Sequence, residues 1–395
     1  MMKATRQQIK EHNTNLVLKT IYEHDNISRA ETARLTGLTR TTVSEIVSGL
    51  IADGLVAEVG LGEPSGGKPP IQISLVAGAR QIACLDLSND ELHGALVDLR
   101  GQILLREYIP LEHRMGDSAL ERVLHLVELL TKAATAPLLG IGIGTPGLVD
   151  SHQGIIHQAV NRGWIDLPLE HLVTECCSAP VYVTNDSQAA ALGEYTFGSQ
   201  RAALNLVVVK AGEGIGSGIV LNGELFHGDG FSAGEIGHLV VECDGLLCSC
   251  GNYGCLETVI GKRALLAQAQ ALALQHPESM FANLMNGSDR LRLDHLIQAH
   301  QQDDPLAIEL VARSGSYLGA AIANLVGILN IKTIVVSGYL ARFGEPLIEA
   351  AHAEALRRVL PAMAGETSLS LSTLGDDDVI LGVAALVLQQ ELGLP

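Results

Sequence analysis

The sequence is poor in aromatic residues and in charge, and it offers no obvious membrane anchor. Of its 395 residues, 3% are Phe, Trp or Tyr and 18% are Asp, Glu, Lys or Arg, whereas 47% are hydrophobic. This hydrophobic content excludes an extensively disordered chain. No apolar run reaches the ~18–20 residues needed to span a bilayer, and the start, MMKATRQQIKEHN, lacks the apolar segment of a secretion signal. We therefore expect a cytoplasmic globular protein of two or three domains.

Positive charge is also scarce, and it is unevenly distributed. The net charge is −18, with 26 Lys and Arg against 44 Asp and Glu. Residues 1–75 hold eight groups of each sign, so the whole net charge belongs to the rest of the chain. A neutral head on an acidic body predicts a separate function for the head, because phosphate contact requires only local positive charge.

The head, residues 1–76, has the pattern of three short helices. Ser28-Arg29-Ala30-Glu31 is a capping box that begins the second helix, with Ser28 accepting from the Glu31 amide and Glu31 reaching back. Gly37 suits the end of this helix, and Thr39 caps a third. A helix, a glycine turn and a further helix predict a helix-turn-helix. One face of the third helix is apolar: Val43, Ile46, Val47, Leu50 and Ile51.

The beginning of the third helix presents an arginine and small polar residues, as a DNA-reading helix does. Two β-prone runs, Leu55–Val59 and Ile71–Leu75, are joined by GLGEPSGGKPP, which predicts a wing with Lys68 at its tip. The alternative is a three-helix interaction module that does not touch DNA; the wing and the charge distribution favour DNA. The predicted DNA-contacting residues are Arg40, Thr41, Thr42, Ser44 and Lys68.

The segment GEIGHLVVECDGLLCSCGNYGCLE, residues 234–257, concentrates metal-binding side chains. One histidine and three thiols are the ligand set of a tetrahedral Zn²⁺ site, and the Cys-x-Cys and x4-Cys spacings keep the sulfurs on one loop. Reduced cytoplasmic cysteines favour metal binding over disulfides. The alternative, ordinary buried cysteines, suits the remaining four: Cys84, Cys176, Cys177 and Cys243. The predicted zinc ligands are His238, Cys248, Cys250 and Cys255, and because four protein ligands leave no open position, the zinc is predicted to be structural.

The body, from residue 79 onward, alternates β-prone runs with helical segments. Strands such as Leu138–Gly144 and Val181–Thr184 end in polar or glycine loops, and the pattern restarts at Asn205–Lys210. This alternation predicts an α/β protein, and its recurrence predicts two similar lobes with a cleft between them. We place the first lobe at 79–195, with the C-terminal helix, 378–395, packing back on it, and the second lobe at 196–377.

Head and body together resemble the ROK family. The head is similar to the winged helix-turn-helix of ROK repressors in SRAETARLTGLTRTTVSEIVSGLIADGLV and in the GGKPP wing. In the body, GIGTPGLVD, VTNDSQAAALGE, GEGIGSGIVLNGELFHG and GEIGH…CxCGxxGCLE follow the family's order. The resemblance implies an actin-like, sugar-kinase (ribonuclease H-like) body. The chain looks most like the family's sugar-responsive transcriptional repressors, which implies a monosaccharide effector in the cleft and a homodimer on an inverted-repeat operator.

The resemblance also implies which residues hold the sugar, whose hydroxyls both donate and accept hydrogen bonds. Asn185 and Asp186 directly follow a strand, where α/β proteins place functional groups, although such residues equally suit a helix N-cap. His238 is expected to bind the metal through one ring nitrogen and to face the sugar or a carboxylate with the other. The implied sugar-binding residues are Asn161, Asn185, Asp186, Glu235, His238 and Glu257.

The alternative function is that of a ROK sugar kinase, with Asp186 as the base that deprotonates a sugar hydroxyl for attack on the ATP γ-phosphate. Such kinases have a DxGGT loop after the first strand, where this chain has the sequence DLSNDE at residues 86–91. In the second phosphate loop the usual threonine is Glu213, and the adenine-side glycine pair is reduced to Ser337-Gly338. A carboxylate ~4 Å from a phosphate charge costs roughly 4 kcal/mol at an effective dielectric of ~20. We therefore expect that ATP is not bound while the sugar site is retained.

Overall fold

The computed structural model describes residues 5–63, 69–88, 90–201, 203–285 and 291–394. The head consists of three helices and a small antiparallel sheet with the strand order β1-β3-β2. Its apolar residues Val17, Ile21, Val43 and Val47 are fully buried. The elements are α1 (Arg6–Glu23), β1 (Ile27–Ser28), α2 (Arg29–Thr36), α3 (Arg40–Ala52), β2 (Val56–Leu61) and β3 (Ile71–Leu75).

The helix-turn-helix prediction is confirmed, with one difference at the beginning of α2. Ser28 Oγ accepts from Glu31 N at 3.2 Å, and Gly37 ends α2 with φ +69. The Glu31 carboxylate does not reach back to the Ser28 amide as predicted; it binds the Arg34 guanidinium, whose Nε lies 3.0 Å from Glu31 Oε2. A charged donor one turn later competes successfully with a neutral amide because charge-assisted hydrogen bonds are stronger.

A five-stranded sheet of order β11-β7-β4-β5-β6 forms the first lobe, in which β4, β7 and β11 are parallel. Alternate residues of β4 face opposite sides: Ala83 and Leu85 pack under α4, whereas Ile82 and Cys84 join a core shared with the head. The elements are β4 (Gln81–Asp86), β5 (Glu91–Asp98), β6 (Ile103–Pro110), α4 (Asp117–Ala133), β7 (Leu138–Thr145), β8 (Leu148–Asp150), β9 (Ile155–Ala159), β10 (Trp164–Leu167), α5 (Leu169–Thr174), β11 (Val181–Asn185) and α6 (Asp186–Phe197).

A second five-stranded sheet, of order β14-β13-β12-β15-β16, forms the second lobe and confirms the predicted two-lobed α/β body. Its elements are β12 (Leu206–Ala211), β13 (Ile215–Leu221), β14 (Glu224–Leu225), α7 (Leu256–Ile260), α8 (Lys262–Gln275), α9 (Met280–Met285), α10 (Leu293–Gln301), α11 (Pro305–Leu329), β15 (Thr333–Gly338), α12 (Glu345–Arg358), α13 (Pro361–Ala364) and β16 (Ser368–Leu371). The last helix, α14 (Asp378–Leu392), packs on α6, β4 and β7.

Helix α11 is, within the described ranges, the one helix long and apolar enough to cross a membrane. Of its most apolar window, 56% is buried inside the protein. It packs on α12 at two glycines: a Cβ on Gly315 would lie 2.6 Å from Ala350 Cβ, and one on Gly319 would lie 2.2 Å from Ala351 O. These backbone approaches identify α11 as a core helix of the second lobe.

Candidate functional site

The interlobe cleft brings together strand ends that are distant in sequence. Asp86 at the end of β4 pairs in register with Gly144 of β7, and Asn185 at the end of β11 pairs with Thr145. In the second sheet, Lys210 of β12 lies beside Ser337 of β15. Because parallel strands present their carboxyl ends at one edge, polar groups from both sheets converge there.

A buried ion pair joins the two lobes at the base of this cleft. Lys210 Nζ lies 2.8 Å from Asp186 Oδ2, with the two side chains 5% and 13% exposed. Burial opposes the charge of Lys210, but the carboxylates of Asp186, Asp378 and Asp86 together raise its pKa above the ordinary value. Burial also raises the pKa of Asp378 to about 6, against the attraction of Lys210. The sequence prediction missed this ion pair, because a lysine inside a strand is ordinarily solvent-exposed.

The two asparagines predicted to bind sugar differ in their surroundings. Asn185 Oδ1 accepts from the amides of Ser187 and Gln188 at 2.8 and 3.2 Å, and its Nδ2 donates to Gly147 O at 3.0 Å. Asn185 is therefore the N-cap of α6, the alternative that the sequence left open. Asn161 is exposed in a single helical turn.

The three remaining predicted sugar residues lie around one acidic region. Glu235 Oε2 is 3.8 Å from His238 Nε2, and Glu257 Oε2 accepts from the Ile215 amide at 3.0 Å. Burial raises the pKa of Glu235; His238 opposes this, whereas Asp186 and Glu257 reinforce it. The structure thus places Asp186, His238 and Glu257 within electrostatic reach of Glu235.

The metal loop, residues 234–257 with the four predicted zinc ligands, has the geometry of a four-coordinate site. His238, Cys248, Cys250 and Cys255 each offer one ligand atom, and these atoms all lie within 4.8 Å of one another. Cys248 Sγ is 3.6 Å from His238 Nδ1, and Cys250 Sγ is 3.6 Å from Cys255 Sγ. Zinc–sulfur bonds of ~2.3 Å set tetrahedral ligand separations of roughly 3.8 Å, so the donor set fits a Zn²⁺-sized ion. His238 directs Nδ1 to this cluster and Nε2 to Glu235, the division of roles expected from the sequence.

Local backbone contacts support the metal loop. Cys248 N donates to Asn252 O at 2.7 Å, and Leu256 N donates to Leu239 O at 2.8 Å. Gly254 has φ +70, and a Cβ there would lie 1.6 Å from Glu242 O, so this tight approach requires glycine. Hydrogen bonding from the Asn252 backbone is the largest influence that lowers the pKa of Cys250 to about 7, which favours the thiolate a metal needs.

One ion pair and a buried arginine occupy the loops that correspond to nucleotide-binding elements. Glu213 Oε1 lies 2.5 Å from Lys262 Nζ, with Glu213 largely buried. The guanidinium of Arg162 donates to Leu87 O at 2.7 and 3.2 Å. Burial lowers the pKa of Arg162, opposed by Asp90, Glu213, Asp86 and Asp186. Sequence reasoning missed both Arg162, which directly follows Asn161, and Lys262, which lies five residues after Glu257.

The third helix presents part of the predicted DNA surface. Arg40, Thr41 and Ser44 are exposed on the first turns of α3. Thr42 is half-buried; its hydroxyl lies 2.9 Å from Thr39 Oγ1, and its amide donates to that same oxygen. Lys68 lies outside the described residues.

A winged helix-turn-helix on a two-lobed body with a polar interlobe cleft defines a DNA-binding protein of the sugar-kinase fold class. The ROK family profile matches residues 82–390, and a winged helix-turn-helix DNA-binding profile matches residues 11–57. The chain belongs to the ROK family.

Similar proteins include both regulators and enzymes. A xylose repressor from Caldicellulosiruptor bescii is 32% identical over 98% of each chain. A glucokinase from Halalkalibacterium halodurans is 33% identical over 78% of this chain and 94% of its own. Among solved structures, a ROK family transcriptional regulator, a homologue of the Escherichia coli MLC protein, superposes with a TM-score of 0.85 at 29% identity, covering 98% of both chains.

Proposed function

We propose that this chain is a sugar-responsive transcriptional repressor. The observation that carries the proposal is that one chain joins a helix-turn-helix with exposed polar residues on α3 to a cleft that retains an acidic, hydrogen-bonding cluster, while its second phosphate loop holds the Glu213–Lys262 ion pair. The similarity to a xylose repressor along nearly the whole chain supports a monosaccharide effector. The proposed sugar-binding residues are Asn161, Asn185, Asp186, Glu235, His238 and Glu257, and the proposed DNA-contacting residues are Arg40, Thr41, Thr42, Ser44 and Lys68.

Zn²⁺ is the proposed occupant of the His238, Cys248, Cys250 and Cys255 site. Three thiolates and an imidazole are soft and borderline donors that suit zinc, and four protein ligands complete its shell. The metal would order the loop and orient the His238 ring, and through that ring the Glu235 carboxylate. Its role is therefore structural.

The geometry disfavours a sugar kinase. The carboxylate of Asp186, which would serve as the base, is held by Lys210 at 2.8 Å. Glu213, paired with Lys262 at 2.5 Å, replaces the threonine usual in the family's second phosphate loop, so an ion pair occupies the place of a neutral hydroxyl. The similarity to a glucokinase therefore reflects a shared fold and shared sugar-binding residues, and the proposed function includes no phosphoryl transfer.

The proposed domain organisation follows from DNA binding and sugar binding. Residues 1–76 act as the DNA-binding unit, and residues 79–195 with 378–395 and residues 196–377 act as the two sugar-binding lobes. A homodimer would place two heads on successive major grooves of an inverted repeat. The protein would act in the cytoplasm, beside its operator.

A monosaccharide that binds the native cleft should raise the thermal midpoint of the protein. At one hundred times its dissociation constant, a ligand adds about 2.7 kcal/mol to the free energy of unfolding. We expect one of D-xylose, D-glucose and N-acetylglucosamine to do so in a thermal-shift screen.

Glu235→Gln should weaken the affinity for that sugar at least ~10-fold, because a hydrogen bond to a charged group contributes about 1.5–3 kcal/mol. Glu224→Gln, an exposed change in β14, is the matched control; equal losses in both variants would contradict the assigned site.

The operator contact is tested by Arg40→Ala. An arginine that reads a base contributes about 1–3 kcal/mol, so affinity for DNA upstream of the protein's own gene should fall ~5- to 150-fold in fluorescence anisotropy. Lys19→Ala removes the same charge from α1, where Lys19 is half-exposed and 4.0 Å from Glu23, and should change affinity by less than ~3-fold. Undiminished binding by Arg40→Ala would show that α3 does not read the operator.

A further inference from the structure

Helix α14 reaches from the interlobe cleft to the DNA-binding head. Its first residue, Asp378, is 5% exposed and lies within electrostatic range of Lys210 and Asp86. Leu388 near its other end, and Leu394 just beyond it, are buried in one core with Val17 and Leu18 of α1. Fifteen helical residues span ~22 Å, so one rigid element contacts both proposed binding regions.

The cleft end of α14 carries a buried carboxylate. Asp378 Oδ1 accepts from the Val379 amide at 2.7 Å, and both Asp378 Oδ2 and Ser337 Oγ are buried. Lys210 bonds directly to Asp186, which belongs to the proposed sugar cluster. Asp378, Asp186 and Asp86 therefore all interact with the single ammonium group of Lys210. A ligand that binds Asp186 would change how strongly Lys210 attracts Asp378.

The middle of α14 is fitted closely to α6. A Cβ on Gly382 would lie 1.8 Å from Ala189 O, and one on Gly193 would lie 2.5 Å from Asp378 O. Since α6 begins at Asp186, the two helices that start in the cleft cross in backbone contact. A displacement of one helix is therefore transmitted to the other rather than absorbed by side chains.

The head end of α14 meets α1 through a side chain. A Cβ on Gly393 would lie 2.6 Å from Asn15 Nδ2 of α1. The same helix α1 is held by the first lobe, where the Arg100 guanidinium lies 4.8 Å above the Tyr22 ring. The head consequently rests on α14 and on the β5–β6 turn, and a shift of α14 against that turn would reorient α3.

We propose that α14 couples the two sites, with Asp378, which lies within electrostatic range of Lys210, as its cleft end and α1 as its contact with the head. This coupling rests on the proposed function and adds the route by which the sugar acts on the head. A sugar bound at Asp186 changes how strongly Lys210 attracts each nearby carboxylate. Helix α14 then moves with α6, and the head moves with α14. Allosteric coupling in proteins commonly changes affinity 5- to 150-fold, and a single bistable element suffices to carry it.

Asp378→Asn tests this route, because it removes the charge at the cleft end of α14 while preserving the shape of the side chain. Operator affinity without sugar, and D-xylose affinity without DNA, should stay within ~3-fold of wild type. The change in operator affinity on adding D-xylose, or whichever sugar of the panel stabilises the protein, should fall from the wild-type value to less than ~3-fold. Asp376→Asn, an exposed acid two residues earlier, is the matched control and should keep the wild-type response.

Hydrogen exchange distinguishes coupling from a purely structural role of Asp378. In the wild type, the sugar should change amide protection both near Asp186 and in α1; in Asp378→Asn the first change should persist and the second should vanish. Full retention of the sugar effect on DNA binding by Asp378→Asn, or equal loss in Asp376→Asn, overturns the coupling route alone. A wild-type chain whose DNA affinity ignores every sugar contradicts the proposed function and the route together.

Discussion

Lys210→Met should lower the free energy of unfolding by about 3–5 kcal/mol at neutral to alkaline pH, the range typical of removing one partner from a buried ion pair. The variant keeps the length and apolar stem of the side chain but leaves Asp186, Asp378 and Asp86 without their shared cation. Burying carboxylates away from water disfavours the folded state unless positive charge offsets the cost, and the variant removes the ammonium group that bonds to Asp186. Urea denaturation at several pH values measures the loss.

The loss of unfolding free energy caused by Lys210→Met should increase with pH. A carboxyl group whose pKa is raised by folding stabilises the native state at low pH, and this contribution is lost as the pH rises through the folded-state pKa. In the wild type, burial already raises the pKa of Asp378 to about 6, and removal of Lys210 takes away the charge that opposes this rise. The difference between variant and wild type should therefore be small near pH 5 and grow toward pH 8.

A surface lysine provides the control. Lys332 Nζ is 2.8 Å from Glu366 Oε2, but both side chains are more than half exposed. Lys332→Met should change the free energy of unfolding by less than ~1 kcal/mol, since water screens such pairs. A Lys210→Met variant as stable as Lys332→Met at every pH would show that the three carboxylates do not depend on Lys210.

Cys255→Ser should abolish metal binding and weaken the sugar site. Cys255 is fully buried, and its Sγ lies 3.6 Å from Cys250 Sγ, so a hydroxyl there cannot supply the thiolate that zinc requires. Metal content by mass spectrometry should fall from one equivalent per chain to a small fraction. Because structural zinc contributes folding free energy, the thermal midpoint should fall as well.

The effect on sugar would follow from the second nitrogen of His238. Without the ion, Nδ1 is no longer anchored, and the ring that meets Glu235 at 3.8 Å loses its fixed orientation. Loss of such orienting contacts typically costs 10- to 100-fold, so D-xylose affinity by calorimetry should fall at least ~10-fold. Cys243→Ser, at an exposed cysteine outside the ligand set, should leave metal content and sugar affinity unchanged. A chelated protein with undiminished sugar affinity would show that the metal serves folding alone.

Short-range patterns were the reliable part of the sequence. Caps at Ser28 and Thr39, the glycine at position 37 and the apolar face of α3 correctly predicted the head, because each depends on neighbours within one or two turns. The Cys-x-Cys spacing likewise predicted a cluster that the fold closes with His238. Where the sequence left a choice, as at Asn185, local geometry alone could not decide it, since a helix N-cap and a sugar ligand require the same residue type at the same place.

By itself, then, the sequence determined the class of each segment, the helix-turn-helix and the cluster of one histidine and three cysteines, because these depend on spacing along the chain. Only the tertiary structure decided which charges meet. Lys210, Asp378, Arg162 and Lys262 are unremarkable in the sequence, and a charged residue in a strand or helix ordinarily faces water. Their burial is favourable only because partners from distant segments offset the cost of desolvation, and that pairing exists once the two sheets and the helices between them have been assembled.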